Sequence, residues 1–408
     1  MKNSFCFILI LIPFLVEGQT ENTWIKKNDF TGSKRTRAAA FVIGDFAYMC
    51  GGVDTSETVL KDLWQYDPVL DIWTQKADLA GPARRDAVAF SIQGKGYVGT
   101  GMDSVIATYG NVLSDFYAYD PVNNSWIQKA NFPAYSGAGT YFATGFSIDS
   151  KGYICGGKRG PNQYSNELWE YKPLNDSWTQ RSSFPGGIRY QLLSFVIGLD
   201  AFVGLGTNQD LYKKDLWRYS AGSNQWTTCA DLPGSERAGA AAFSIGLRGF
   251  VCTGTNGGML DDLWEYNPFS DEWSIRATYG GSERKNTVAF VLNNKGYVGT
   301  GSGYSGKKAS FHEYSPLQSI FLEVEKEKEI DFSIYPNPVK ESFSISYKNN
   351  EVSRVQLVSY HGIKVLDEQL LPNHKLSIDK SFILSGVYIA NLLNEEGNIL
   401  GSKKVIIL

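Results

Sequence analysis

The sequence predicts an all-β protein, a six-bladed β-propeller followed by a small β-sandwich, and three observations carry that prediction. Tryptophans recur at near-constant intervals: Trp24, Trp73, Trp126, Trp178, Trp226 and Trp273 are 49, 53, 52, 48 and 47 residues apart. Around them every repeat holds four short apolar stretches separated by turn residues, the pattern of strands rather than helices. The composition agrees, with 10 Trp, 23 Tyr, 23 Phe and 42 Gly among 408 residues, which suits pleated strands and tight turns.

The elements of the repeat can be justified in order. The first strand is marked by Phe41, Phe90, Phe146, Phe195, Phe243 and Phe290. Seven residues later comes the aromatic residue that opens a Gly-ended second strand, as in "YMCGG" at 48–52 and "YVGTG" at 97–101. The third strand carries a "DLW"-like triplet and then Tyr66, Tyr119, Tyr171, Tyr219, Tyr266 or Tyr314. The fourth carries the tryptophan, seven residues past the tyrosine across a turn such as "YDPVLDIW". Such a unit cannot cover both of its faces by itself; radial packing of copies covers them and leaves only short edges. Six copies of each mark are present, but position 321 after Tyr314 is Phe, and the sixth tryptophan is Trp24. The N-terminal strand is therefore predicted to complete the last blade. A four-stranded unit repeated at about 50 residues resembles a kelch blade, and the resemblance covers residues 19–316.

The two ends of the chain read differently. Residues 1–18 have the form of a signal peptide: Lys2, an apolar run from Phe5 to Val16 too short to span a bilayer comfortably, and small residues Val16 and Gly18 before a mature start at Gln19. Cys6 leaves with it. Cys50, Cys155, Cys229 and Cys252 remain, in no Cys/His spacing suited to zinc, so they are expected as small packing residues and no metal or other cofactor is expected. Residues 317–330, with "FLEVEKEKEI", read as a charged linker. Residues 331–408 read as a small Ig-like β-sandwich, from alternating strands separated by Gly and Pro-Asn turns. This segment resembles the type A sorting domain of type IX secretion cargo in Bacteroidota, through Tyr335-Pro336-Asn337-Pro338, Gly362, Ser385-Gly386-Val387-Tyr388 and Lys403-Lys404-Val405-Ile406. The resemblance implies handling by the type IX machinery and a destination outside the cell or on the outer-membrane surface.

Function is read from the loops. With a net charge of −3 and no long basic run, the chain lacks the basic face that nucleic acid requires. In an up-and-down blade, loops 1–2 and 3–4 lie on one face, and their spacings are constant here. Loops 2–3 and 4–1 lie on the other, where lengths vary: the closing Gly to the tyrosine spans 14, 18, 14, 13, 12 and 13 residues. Binding residues gather on loops held by a rigid scaffold, so the 2–3/4–1 face is the predicted binding face. Six residues before each first-strand Phe stand Arg35, Arg84, Thr140, Arg189, Arg237 and Arg284. A ring of arginines at the channel mouth would bind carboxylates or phosphates; the competing expectation is internal pairing with Asp62, Asp115, Glu167, Asp215 and Asp262. Tyr109, Tyr135 and Tyr141, in the enlarged loops around the second blade, are further ligand-binding candidates, able to stack on sugar or peptide. Only three histidines are present and no nucleophile or metalloprotease motif appears in a suitable context. The expected function is a secreted or surface-displayed, monomeric binding module for a protein or glycan. The alternative is a carbohydrate-active enzyme, since exported six-bladed kelch sialic-acid epimerases would look similar. A compact mouth pocket with an unpaired acid beside an arginine would favour the enzyme.

Overall fold

The computed structural model describes residues 22–106, 110–133, 139–160, 162–209, 211–317, 332–348, 351–359, 364–369, 375–380, 383, 386–395, 397 and 399–407. The predicted signal peptide and all of the predicted linker after Leu317 lie outside these residues. Residues 22–317 form six antiparallel blades of four strands each, with the short strand Arg35–Thr36 added to the sheet of blade 1. Blade 1 comprises Ala39–Ile43, Phe46–Asp54, Val59–Asp67 and Ile72–Lys76, and blade 2 comprises Val88–Ile92, Lys95–Gly99, Phe116–Asp120 and Ser125–Lys129. Blades 3, 4 and 5 begin at Thr144, Leu193 and Ala241 and repeat the order. Blade 6 takes Val288–Leu292, Lys295–Gly299 and Phe311–Ser315 from the end of the ring and Thr23–Lys27 from its start. The first strands of successive blades are neighbours, and that of blade 6 returns to that of blade 1.

The seven-residue spacing has a simple cause. It sets the first-strand Phe directly opposite the second-strand aromatic across a two-residue turn, as in Phe41↔Tyr48 and Phe195↔Phe202. The rings stack at 5.2 Å in both pairs. The third-strand tyrosine of the next blade then packs on the pair: Tyr48–Tyr119, Tyr97–Tyr171, Tyr153–Tyr219, Phe202–Tyr266, Phe250–Tyr314 and Tyr297–Tyr66 all lie within 5.4–5.9 Å. Glycine precedes the second-strand aromatic where the neighbouring Phe needs its space; a Cβ on Gly96 would stand 2.0 Å from the Phe41 ring.

A polar clamp repeats with the rings. The tyrosine hydroxyl donates to an Asp or Asn five residues on, at the left-handed turn position, and that same side chain accepts a backbone N–H from the preceding connection. In blade 2, Tyr119 donates to Asn124 at 2.8 Å, Ala77 N–H donates to the same oxygen at 2.9 Å, and Trp126 Nε1 donates to the Ala77 carbonyl at 2.9 Å. In blade 6 the clamp is assembled from both ends of the ring: Tyr314 donates to Asn22 at 2.8 Å, Ala277 N–H to Asn22 at 2.9 Å and Trp24 Nε1 to the Ala277 carbonyl at 3.0 Å. The N-terminal strand is thus a full member of the repeat.

The described part of the C-terminal segment forms two sheets. Phe332–Tyr335, Ser342–Tyr347 and Lys375–Asp379 make one, and Lys364–Gln369, Arg354–Ser359, Gly386–Leu393 and Ile399–Ile407 the other. Phe343, Ile345, Val355, Leu357, Leu392 and Val405 belong to its buried core. Two of the predicted sorting motifs meet physically here: Asn337 Nδ2 donates to the Lys404 carbonyl at 2.7 Å, and Ile406 N–H donates to Asn337 Oδ1 at 2.9 Å.

Candidate functional site

The 2–3 loops rise from the propeller as small hairpins, Lys158–Gly160 with Gln163–Tyr164, Thr207–Asn208 with Leu211–Tyr212 and Ser302–Gly303 with Gly306–Lys307. Beneath them lies the arginine row. Arg35, Arg84, Arg189, Arg237 and Arg284 are all buried, and each donates to the backbone carbonyl sixteen residues on, in the order Gly51, Thr100, Leu205, Thr253 and Thr300, at 3.0–3.2 Å. Arg35 holds Asp62 through two bonds of 2.6 and 2.8 Å, Arg84 holds Asp115 at 2.9 and 2.7 Å, and Arg189 and Arg237 pair with Asp215 and Asp262. Burial acts to raise the Asp262 pKa, but the Arg237 hydrogen bonds and charge prevail and hold it below the ordinary carboxylate value. Arg284 has Ser310 at 3.0 Å in place of an acid.

The expectation of an open arginine ring is corrected by this geometry. The guanidinium groups are turned into their own blades: each meets a backbone carbonyl, four of the five hold a carboxylate, and Arg35 also lies over the Phe30 face at 4.7 Å, while Arg189 Nε has no hydrogen-bond partner among the described residues. The odd blade is also compensated. Thr140 donates its hydroxyl to the Gly156 carbonyl at 3.2 Å, and Arg159 from the 2–3 hairpin pairs with Glu167. That substitution was invisible in the repeat, because Arg159 sits in a loop of variable length.

The mouth of the channel is built two residues further along. Arg37, Asp86, Phe142, Gln191, Gly239 and Asn286 all adopt left-handed φ between 53° and 62°. Their backbones form a closed ring of hydrogen bonds, each N–H donating to the carbonyl of the equivalent residue in the preceding blade: Asp86 to Arg37, Phe142 to Asp86, Gln191 to Phe142, Gly239 to Gln191, Asn286 to Gly239 and Arg37 to Asn286, at 2.8–3.3 Å. The backbone is therefore constant while the six side chains all differ, which is what a specificity position on a rigid frame requires. Gln191 Nε2 donates across the opening to Asn286 Oδ1 at 3.1 Å. The cavity within the ring is about 130 Å³, and the channel below, lined by small residues such as Ala38, Ala87, Ala143 and Ala240, adds about 190 Å³. Each is smaller than the roughly 300 Å³ of the smallest typical small-molecule pockets.

Charged and aromatic side chains gather around this mouth. Asp86 is buried between Arg85 and Arg37, the latter at 3.7 Å. Burial raises its pKa against the opposing pull of the two arginines. Arg37 lies over Phe142 at 5.1 Å. Lys158 Nζ lies over Tyr190, Tyr164 and Tyr141 at 4.7, 5.1 and 5.8 Å, and Tyr164 stacks on Tyr190 at 5.4 Å. Burial, with Arg37 nearby, lowers the Lys285 pKa. Of the predicted tyrosines, Tyr141 is brought to this cluster, is buried, and has a hydroxyl with no hydrogen-bond partner among the described residues; Tyr109 and Tyr135 lie outside the described residues. Arg37, Asp86, Phe142, Lys158, Tyr164 and Tyr190 were missed from sequence. The columns four and five residues before each first-strand Phe were the available signal, since they vary most within an otherwise repeated stretch.

Among the described residues no group of three or more His, Cys, Asp and Glu is placed to hold a metal ion. Cys50, Cys155 and Cys252 are buried free thiols, and burial pushes those of Cys50 and Cys155 up to about 12.

Fold and mouth together define a six-bladed β-propeller with its variable loops gathered over one end of the channel. Residues 140–185 match the Kelch motif, and residues 333–408 match the family described as Secretion system C-terminal sorting domain. No curated protein matches the chain in sequence. A solved structure titled "Structure of YjhT" is similar in fold, with a TM-score of 0.58 and 17% identity over 69% of this chain and 94% of that one. The chain is a kelch-type propeller carrying a C-terminal secretion sorting domain, and that domain directs it to the exterior or to the outer-membrane surface.

Proposed function

We propose that the propeller is a binding module whose ligand, a protein or glycan bearing acidic groups, seats over the channel mouth on the 2–3/4–1 loop face. The observation that supports this reading is the gathering of Arg37 and Lys158 against Phe142, Tyr164 and Tyr190, with Lys285 near Arg37, around an opening whose backbone is six-fold regular. Cations give an anion its attraction, and partly exposed aromatic faces give sugar or peptide a stacking surface. The small volumes inside the ring favour a ligand laid across the mouth over one enclosed within it. A glycan and acidic-peptide array probed with the protein tests this: binding should be confined to acidic ligands, weaken with added salt, and fall in Arg37→Ala and Lys158→Ala. Equal binding of neutral ligands, or acidic binding unchanged in both variants, would refute it.

Asp86 favours the second reading, a carbohydrate-active enzyme such as a sugar epimerase. It is a buried acid of raised pKa at the mouth, although it is paired with arginines and not free. Conversion of an acidic sugar that disappears in Asp86→Asn would establish that reading.

A further inference from the structure

The opposite, short-turn face holds a cavity of about 210 Å³ between blades 2 and 3, lined in part by Lys95, Tyr97, Ala118, Asp120, Lys129 and Pro173. Its meaning emerges when the same place is inspected in the other blades. In blade 3 the equivalent of Ala118 is Glu170, whose buried carboxylate accepts from Tyr153 at 2.9 Å and Arg181 at 2.6 and 3.0 Å and faces Lys151 at 3.6 Å. In blade 6 it is Glu313, which accepts from Lys295 at 2.5 Å and Tyr297 at 2.8 Å and faces Lys27 at 3.7 Å. In blade 5 it is Glu265, held by Arg276 at 2.7 Å and Arg248 at 3.4 Å. The strand registers make these positions equivalent: Tyr97↔Ala118, Tyr153↔Glu170, Phe250↔Glu265 and Tyr297↔Glu313 are directly opposed.

Blade 2 keeps the tyrosine, the second-strand lysine and the fourth-strand cation that meet that carboxylate and lacks the carboxylate itself; Lys172, 3.7 Å from Glu170 in blade 3, is replaced in blade 2 by Asp120. Lys95 stands where Lys151 and Lys295 stand, Lys129 where Arg181 and Lys27 stand, and Tyr97 where Tyr153 and Tyr297 stand. Among the described residues Lys129 has no ion-pair partner and the Tyr97 hydroxyl has no hydrogen-bond partner. Lys95 faces Asp120 Oδ2 at 3.7 Å, and Asp120, which also lines the cavity, accepts the Val122 N–H through Oδ1 at 3.0 Å. Blades 1 and 4 show how the position is otherwise closed. Gln65 donates to Tyr48 at 2.7 Å in blade 1, and blade 4 reverses the charges, with Arg218 on Asp200 at 2.8 Å. Only in blade 2 is the centre of the network an alanine.

We propose that this cavity is a carboxylate-binding site, in which a ligand supplies the group that blades 3, 5 and 6 take from their own third strand. The ligand carboxylate sits above Ala118, accepts from Tyr97 and is clasped between Lys95 and Lys129, a set of charge-assisted hydrogen bonds. The site is separate from the channel mouth and does not rest on the function proposed for it. Its carboxylate can come from a small free acid or from an acidic side chain of a peptide.

The test titrates the protein with propionate, and in a second arm with a short peptide carrying one glutamate and blocked ends, at constant ionic strength with chloride as control. Thermal melting is the readout. A saturable rise in Tm with carboxylate and not with chloride is expected. Ala118→Glu should melt higher without ligand and lose the rise, because its own carboxylate fills the site. Lys129→Met should bind about tenfold or more weakly. A peptide that binds at least as tightly as propionate assigns the acidic side chain as the source; the reverse order assigns the free acid. A rise no larger than with chloride, or one that Lys129→Met retains in full, overturns the proposal. Should Ala118→Glu fail to fold, Lys129→Met decides alone.

Discussion

Arg35 and Arg37 are two residues apart, and replacing each by alanine should have opposite consequences. The Arg35 side chain is 1% exposed and holds Asp62 through two bonds, besides the Gly51 carbonyl at 3.0 Å and the Ser33 carbonyl at 3.1 Å. Removing it strands Asp62, and breaking one side of a buried pair costs about 3–5 kcal/mol. Trp64 Nε1 continues to donate to Asp62 at 2.7 Å, so the lower half of that range is expected. For a propeller of about 300 residues that corresponds to a Tm lower by roughly 5–6 °C. Arg37 is 31% exposed, faces Asp86 at 3.7 Å, and lies over one ring. A partly solvated pair contributes about 0–1 kcal/mol and the cation–π contact about 0.5–1 kcal/mol. Asp86 keeps Arg85, and the ring of backbone hydrogen bonds is untouched. Arg37→Ala should therefore melt within a few degrees of the parent yet lose acidic ligand, while Arg35→Ala should be destabilised and, where folded, retain it. Chemical denaturation with parallel binding on an acidic-glycan array measures both. If Arg35→Ala keeps its stability and loses ligand, the assignment of the arginine row to the scaffold is wrong.

Three further outcomes are expected. Deleting residues 22–30 removes Asn22, Trp24 and the outer strand of blade 6, exposing an edge and leaving Tyr314 without its acceptor; a large fall in Tm or aggregation should follow, and an unchanged melting curve would contradict closure through this strand. Burial acts to raise the Glu170 and Glu313 pKa values, but Arg181 with Tyr153, and Lys295 with Tyr297, outweigh it and lower them in the fold, as Arg237 does for Asp262. Groups with depressed folded pKa stabilise above their unfolded value, about 4, and the stabilisation is lost as pH falls through the folded values; stability should be level near neutrality and decline below about pH 4, and a flat profile into that range would refute the pairing. Removing residues 331–408 should leave a folded propeller retained within the producing cell, and normal release of the shortened chain would overturn the role given to the sorting domain.

The sequence by itself determined the repeat, the number of blades, the closure through Trp24 and the sorting motifs. Each depends on residues that must recur, because Phe41 meets Tyr48 and Tyr48 meets Tyr119 by the same geometry in every blade, and a six-fold constraint leaves a six-fold mark. It also left two fates open for the arginine row, and only the tertiary structure chose between them. Arg35 and Asp62 are 27 residues apart, and whether a guanidinium turns into its blade or into the channel depends on the second-strand carbonyl and the aromatic face that meet it there. The residues at the mouth escaped notice for the converse reason. Their left-handed backbone interrupts the alternation of the strand, so periodicity does not say where Arg37, Asp86 or Phe142 point, and it is difference rather than recurrence that marks them. Ala118 is the same case at the other face: an alanine in a strand carries no signal until the carboxylates of its structural equivalents show what the surrounding lysines and tyrosine are arranged to hold.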